Sequence, residues 1–392
     1  MAYQTNSCSN LILGESAISI SSKGSPENSF NSFNSFNSFG APESPLAAEA
    51  LLTTRDGIVG APLSFDPDIR AGSPNDPANL PRLSPDVRSS IYMFEMGSRV
   101  AFSETQGETA TADLWRLNIT EGQPPKIHEK PLVSLTAPTV AQFKEQMAYL
   151  SAYADIRPDR AAEILEQTTA VSPFLASIAF LDPARTPFTL ELLYAALRFT
   201  NYCGMRMKYG IAAKRPIEYS PQVQPIILTP THGSLPSGHA TEAFITARIL
   251  WKLMRASDAN QYNQDGVWGE MFMRLASRIA TNRTIAGVHF PVDSVAGAIL
   301  GLTLADYVSA ICDPNVEGLT SAEFNGPAFP ATEDFDWHSL YDAKDDHQCA
   351  HAGSSDGQWM TSETQSTTPN MVSPPLAWLW KKAQSEWQDV NI

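Results

Sequence analysis

PSGHATEAFITARILWKLMRAS, Pro236 to Ser257, opens on a proline, a serine and a glycine and then runs on as an apolar helix. A serine in that place is a preferred N-cap, because its hydroxyl accepts a bond from a backbone N–H that the first turn leaves unpaired. The same free N–H groups and the positive end of the helix dipole attract anions. Gly238 lets an oxyanion come close to the backbone. His239, in the first turn, sits where the dipole depresses an imidazole pKa somewhat, and an imidazole suits proton exchange near neutrality. Alone, the stretch reads equally as an ordinary capped helix with an incidental histidine.

Helical patterning extends on both sides. Upstream, Thr139–Ile156 carries Phe143, Met147, Leu150 and Tyr153 at three- and four-residue spacings, Pro158 opens a helix over Asp159–Thr168, and a long helix runs from Leu190 to about Tyr209. Downstream, helices are expected over Trp268–Asn282 and Val292–Ile311. Residues 215–236 hold five prolines and must be mainly loop. From Ser89 to Pro138 the pattern is mixed, with a few extended segments. The expected fold is therefore all-α: a helical bundle over 86–314. Before it, residues 1–85 are rich in Ser, Asn, Pro and Gly and include a fourfold Asn-Ser-Phe repeat, Asn28 to Phe39; this segment is expected to stay disordered. After it, residues 315–392 are expected to form an acidic, irregular tail. A late aromatic cluster there, Trp378, Trp380 and Trp387, can form a short docking helix.

The 392 residues carry a net charge of −15 and are 43% hydrophobic, which leaves enough apolar material for a large core and argues against nucleic acid or an anionic membrane as partner. The four cysteines, Cys8, Cys203, Cys312 and Cys349, show no CxxC spacing and read as reduced intracellular thiols. Met1 to Lys23 lacks a basic segment followed by an apolar core, so no secretory signal is expected. The longest apolar helical stretch, Ser294–Ala305, falls short of the roughly 20 residues of a membrane span. Together these predict a cytoplasmic chain without a membrane span.

One region departs from the overall sign. Between Leu192 and Ile217 there is no Asp or Glu, yet Arg198, Arg206, Lys208, Lys214 and Arg215 all fall there. This is either a focused anion site or a solvated helix face. Lys208 and Arg215, with six residues between them across the end of the long helix, can converge on one anion. A third segment holds Arg283, His289 and Asp293, with five and then three residues between them. A carboxylate bonded to one ring nitrogen of His289 would set its tautomer and leave the other nitrogen to attack or ligate. Arg283 offers a planar fork for an oxyanion.

Lys208, Arg215, Ser237, Gly238, His239, Arg283, His289 and Asp293 occur in that order within 86 residues (208–293). The set K-x6-RP, PSGH and R-x5-H-x3-D resembles the signature shared by vanadium-dependent haloperoxidases, class A bacterial acid phosphatases and type 2 phosphatidic acid phosphatases. The resemblance covers roughly Thr139 to Ala310 and implies a bundle of the haloperoxidase/acid phosphatase type. It departs at Asn282, where those families usually have Ser. It implies that Lys208, Arg215, Arg283, Ser237 and the Gly238 N–H hold an oxyanion. His289 would bind the central atom, Asp293 would orient His289, and His239 would act as acid and base. Two activities follow. A haloperoxidase would bind vanadate at His289 and use hydrogen peroxide to oxidise halide for an organic acceptor. A phosphatase would need no cofactor and would cleave phosphomonoesters through a phosphohistidine. His232, seven residues before His239, resembles a histidine of algal bromoperoxidases and is a candidate halide-site residue, favouring bromide or iodide; read from its residues alone it is as easily a loop histidine facing solvent. Haloperoxidases resembling this chain often form homodimers.

Overall fold

The computed structural model describes residues 45–60, 72–120, 124, 126–169, 171–262, 266–354 and 357–388. The Asn-Ser-Phe repeat lies outside the described residues, as does Cys8. By its internal contacts the chain divides into two compact units, the smaller ending at Arg88 and the larger beginning at Ser89. In the smaller unit α1 spans Pro45–Ile58, and Asp76 caps a 3-10 turn, Pro77–Arg82, by accepting from the Ala78 N–H at 2.9 Å. Helix α2, Pro85–Gly97, spans the division in sequence.

The larger unit holds strands β1 (Val100–Gln106), β2 (Ala110–Thr120) and β3 (Lys126–Thr136), and then the helices α3 (Val140–Ala154), α4 (Arg157–Glu166), α5 (Ser172–Ala179), α6 (Pro187–Ile211), α7 (Gly238–Ala256), α8 (Val267–Ile285) and α9 (Pro291–Cys312). Strands β4 (Gly318–Asn325), β5 (Tyr341–Asp342), β6 (His347–Gln348), β7 (His351–Ser354) and β8 (Gly357–Ser366) follow, and α10 (Pro374–Ser385) closes the order. Six strands make one mixed sheet in the order β1-β2-β3-β4-β8-β7; β5 and β6 form a separate hairpin. The β3–β4 pairing is parallel, Val133 beside Ala322 and Thr136 beside Asn325, and the others are antiparallel.

The fold is therefore α/β, and the all-α expectation with an irregular tail is corrected. Its helices were legible. Its sheet was not, for physical reasons. On β2 the core face carries Ala112, Leu114 and the buried Arg116, so a cation breaks the apolar alternation; Arg116 bonds Gln365 at 2.9 Å and the Met371 sulfur at 3.1 Å. Strand β3 contains Pro131 and has only its second half buried. The acidic tail hides β4 and β8 because their few apolar residues are buried on both faces. Leu319 and Phe324, like Trp359 and Met360, fall an odd number of positions apart, so no clean period-two alternation results.

Helix α9 is the spine. All residues from Pro291 to Cys312 are buried, against α7 on one side and β4 on another. Its 22 residues exceed the 12-residue stretch read from the sequence, and among the described residues it alone is long and apolar enough to cross a membrane; here it is enclosed by the rest of the fold. Gly297 and Gly301 allow α7 to lie directly on it. A Cβ on Gly297 would stand 2.6 Å from the Ser237 carbonyl oxygen, and one on Gly301 would collide with that of Thr241. Below this seam Arg248 and Lys252 of α7 meet Asp306 of α9 at 3.0 and 2.9 Å, and Asp346 at 3.0 and 2.7 Å.

The tail returns to the helical region. Trp380 and Trp387 are buried, and Trp378 meets Phe188 edge to face. The Glu386 carboxylate accepts from the Phe188 and Thr189 N–H groups, both at 2.8 Å, and so caps the N-terminus of α6. Overpacking at a helix seam costs about 1–3 kcal/mol, so Gly301→Val is expected to lower the urea midpoint by that equivalent with an unchanged slope.

Candidate active site

The ends of four helices converge. Lys208 lies in the last turn of α6, which stops when Ala212 turns left-handed (φ 52°) and returns its N–H to the Lys208 carbonyl at 2.9 Å. Arg215 begins a single turn, Pro216–Tyr219, and its N–H is held by Glu218 Oε2 at 2.6 Å. Ser237 follows the cis Leu235–Pro236 bond and caps α7 through the Ala240 N–H at 3.4 Å. Its own N–H donates to the Asp293 carbonyl at 2.8 Å, tying the start of α7 to that of α9. Arg283 closes α8, and the short turn to α9 passes through Gly287 at φ +84°, a conformation that side chains rarely adopt. Arg157 holds this turn by donating to the Ile285 carbonyl at 2.8 Å.

Three of the predicted residues form one linear chain. Arg215 Nη1 stands 2.9 Å from His289 Nε2, and His289 Nδ1 stands 3.0 Å from Asp293 Oδ2. A guanidinium only donates, so Nε2 is the acceptor and Nδ1 carries the proton that Asp293 receives. The geometry thus selects the tautomer with its lone pair at Nε2, facing the cations. Asp293 Oδ2 also accepts from the Phe290 N–H at 2.9 Å and from the Ser234 hydroxyl, while buried Oδ1 has no partner. Lys208 Nζ donates to the Gly233 and Ser234 carbonyls, both at 3.0 Å. Arg215 Nη2 meets His232 Nδ1 at 3.0 Å, so His232 is turned into the cluster.

Arg283 approaches from the other side. Nη1 meets His239 Nε2 at 3.3 Å; Nη2 donates to the Ile164 carbonyl at 3.2 Å and to Gln167 Oε1 at 3.0 Å. Its buried Nε has no partner. Lys208, Arg215 and Arg283 are 1%, 3% and 0% exposed, so all three cations are withdrawn from water. Of the basic island, Lys208 and Arg215 serve this cluster. Arg198 bonds Ser89 and Arg206 bonds Glu104 elsewhere on α6.

This burial explains the titration behaviour. Desolvation first, and then the charges of Arg215 and Lys208, hold His289 well below the ordinary imidazole range. His239, closely packed though its ring keeps some contact with solvent, is lowered by burial and then by Arg283. His232 is brought down to about 4 by burial, Lys208 and Arg215, against the Gly233 carbonyl. Burial pushes Asp293 up to about 6, against the Ser234 hydroxyl, the Phe290 N–H and the two cations. Burial brings Arg283 down to about 10. Beside Lys208 and Gly238 a small cavity of about 10 Å³ lies between α6 and α7, walled also by Gly204, Thr241 and Glu242.

Residues 151–315 match the family model of the PAP2 superfamily, whose members include phosphatases and haloperoxidases. A solved structure, the transmembrane PAP2-type phosphatidylglycerolphosphate phosphatase from Bacillus subtilis, is 20% identical over 43% of this chain and 84% of its own, with a TM-score of 0.35. No curated protein matches the chain.

Sequence reasoning missed Ser234 and Gln167. Ser234 sits in the proline-rich loop and Gln167 lies 41 residues before Lys208; neither has a spacing that marks it, and only the tertiary fold brings them in. At Asn282, the departure from the family pattern, the side chain donates to Glu163 and Gln167 at 2.9 and 3.0 Å.

The three lowered imidazoles bear on stability. Unfolded, each titrates near its ordinary pKa of about 6.5, above its folded value, so on acidification the unfolded chain takes protons first and stability falls. Asp293 acts in the opposite sense, because its folded pKa is raised. His232→Gln removes one acid-sensitive group, so its urea midpoint is expected to change less between pH 7 and 4.5 than that of the parent protein.

Proposed function

We propose that the chain is a vanadate-dependent haloperoxidase that oxidises bromide or iodide with hydrogen peroxide to hypohalous acid, which then halogenates an organic acceptor. The observation that carries the choice is His232: its ring meets Arg215 within the cationic cluster, where a halide-site residue is needed. The donor set fits a tetrahedral oxyanion. Three buried cations, the orphaned Arg283 Nε, the start of α7 and the Nε2 lone pair of His289 call for a small, highly charged anion.

Vanadate, when bound at His289, supplies the Lewis acidity that activates peroxide. The rest falls to the chain's own groups. Lys208, Arg215, Arg283, Ser237 and the Gly238 N–H bind the oxygens. One N–H of Arg215 cannot serve both His289 Nε2 and an oxyanion, so Arg215 releases the imidazole as the anion arrives. Asp293 keeps the proton on His289 Nδ1 throughout. His239, neutral and with Nε2 accepting from Arg283, is placed to take a proton there and return it.

A second reading is phosphomonoester hydrolysis, to which the same cations and the same Nε2 lone pair of His289 are suited. In it His239 takes up a proton as the substrate monoanion binds. His289 Nε2 attacks phosphorus, the P–O bond to the leaving group breaks, and His239 gives its proton to the departing alkoxide. Water then cleaves the P–N bond, passing a proton to His239 as it attacks, and gives inorganic phosphate and free histidine.

Reconstitution with orthovanadate, followed by bromination with peroxide, is expected to give vanadate-dependent turnover. Rapid phosphomonoester hydrolysis with no such bromination would overturn the first reading in favour of the second. His289→Ala should abolish either activity with an unchanged circular dichroism spectrum; retained turnover would place the chemistry elsewhere. His239→Ala should slow turnover by on the order of 10²–10⁴.

A further inference from the structure

We propose that Gln167 is the positioning residue of the anion site, and that its neutral amide pins the Arg283 guanidinium while leaving the positive charge for a bound oxyanion. The inference rests on the reading of the cluster as an oxyanion site.

Gln167 ends α4 and is fully buried. Its amide has one orientation consistent with its neighbours. Nε2 donates to Glu163 Oε1 at 3.0 Å, which leaves Oε1 facing two donors, Asn282 Nδ2 and Arg283 Nη2, both at 3.0 Å. The flipped amide would set N–H against N–H. Asn282 is fixed in turn, with Oδ1 accepting from Arg160 at 3.1 Å. The departure from the family pattern at 282 thereby belongs to one hydrogen-bonded unit with Gln167.

The carboxylate in this unit is spent elsewhere. Glu163 is held by Arg278, whose Nε donates to both carboxylate oxygens at 2.8 and 2.9 Å, with Arg160 3.9 Å away. Asn282 and Gln167 stand between it and Arg283. The three bonds of Arg283 end on a backbone carbonyl, an amide oxygen and a neutral imidazole, and Nε has no partner. A buried guanidinium so arranged is oriented without being neutralised. A carboxylate at 167 would pair with it and compete with the incoming anion.

The test is calorimetric titration of the purified full chain with orthovanadate, and separately with inorganic phosphate. Gln167→Glu is expected to weaken binding about tenfold or more, since a charge-assisted bond now occupies Arg283. The lost affinity should return as the pH falls and the new carboxyl takes a proton. Gln167→Leu, which removes the pin without adding charge, should weaken binding less and show no such recovery. Anion affinity at the parent level in Gln167→Glu would overturn the charge argument; parent-level affinity in Gln167→Leu would overturn the positioning argument. Arg283→Ala separates these outcomes from a failure of the site itself: if that variant also binds both anions as the parent does, the oxyanion reading falls.

Discussion

A guanidinium wholly removed from water, and bonded only to neutral acceptors, is the constraint around which the rest of this molecule is arranged. Withdrawing a charge from solvent costs several kcal/mol even after the surroundings relax. Hydrogen bonds to carbonyl and amide oxygens offset part of that cost, and the depressed pKa of Arg283 shows that part remains. Lys208 and Arg215 share the enclosure, and the start of α7 adds its dipole with the same sign. An arrangement of this kind stores a demand for negative charge. Rigid surroundings are what keep the cations from turning outward, and the fold provides them.

That rigidity comes from α9 and its contacts. The two glycines bring α7 close enough for the Ser237 N–H to reach the Asp293 carbonyl, so the helix that carries Ser237 and His239 and the helix that carries Asp293 share one fixed geometry. At the other end of the seam the four charged groups Arg248, Lys252, Asp306 and Asp346 lock rotation of α7 about its axis. Such a network contributes more to a unique arrangement than to net stability, because both partners of each pair surrender their hydration.

The site was legible in the sequence because its residues lie at helix ends, where capping chemistry and proline breaks leave marks that can be read locally. Lys208, Arg215, Ser237, His239, Arg283, His289 and Asp293 all occupy such positions. Gln167 and Ser234 carry no mark of that kind. The sheet escaped for a related reason. Its central pairing joins Val133 to Ala322 across the whole helical region, and a contact between such distant residues leaves no periodic trace in either strand alone. Arg116 on a core face of β2, and adjacent buried residues on β4 and β8, removed the alternation that betrays strands one at a time.

The capping of α6 by Glu386 carries a consequence for how the chain is made. The helix bearing Lys208 leaves the ribosome with its first N–H groups unsatisfied, and the carboxylate that satisfies them is translated nearly two hundred residues later. At typical elongation speeds of about 5–20 residues per second that interval lasts on the order of ten seconds or more. Until Asn325 is made, the parallel partner of β3 is also missing. Through the first part of the interval the nascent chain has both a bare helix end and an open strand edge, and Glu386 completes the support of a site whose own residues, Lys208 to Asp293, all precede it.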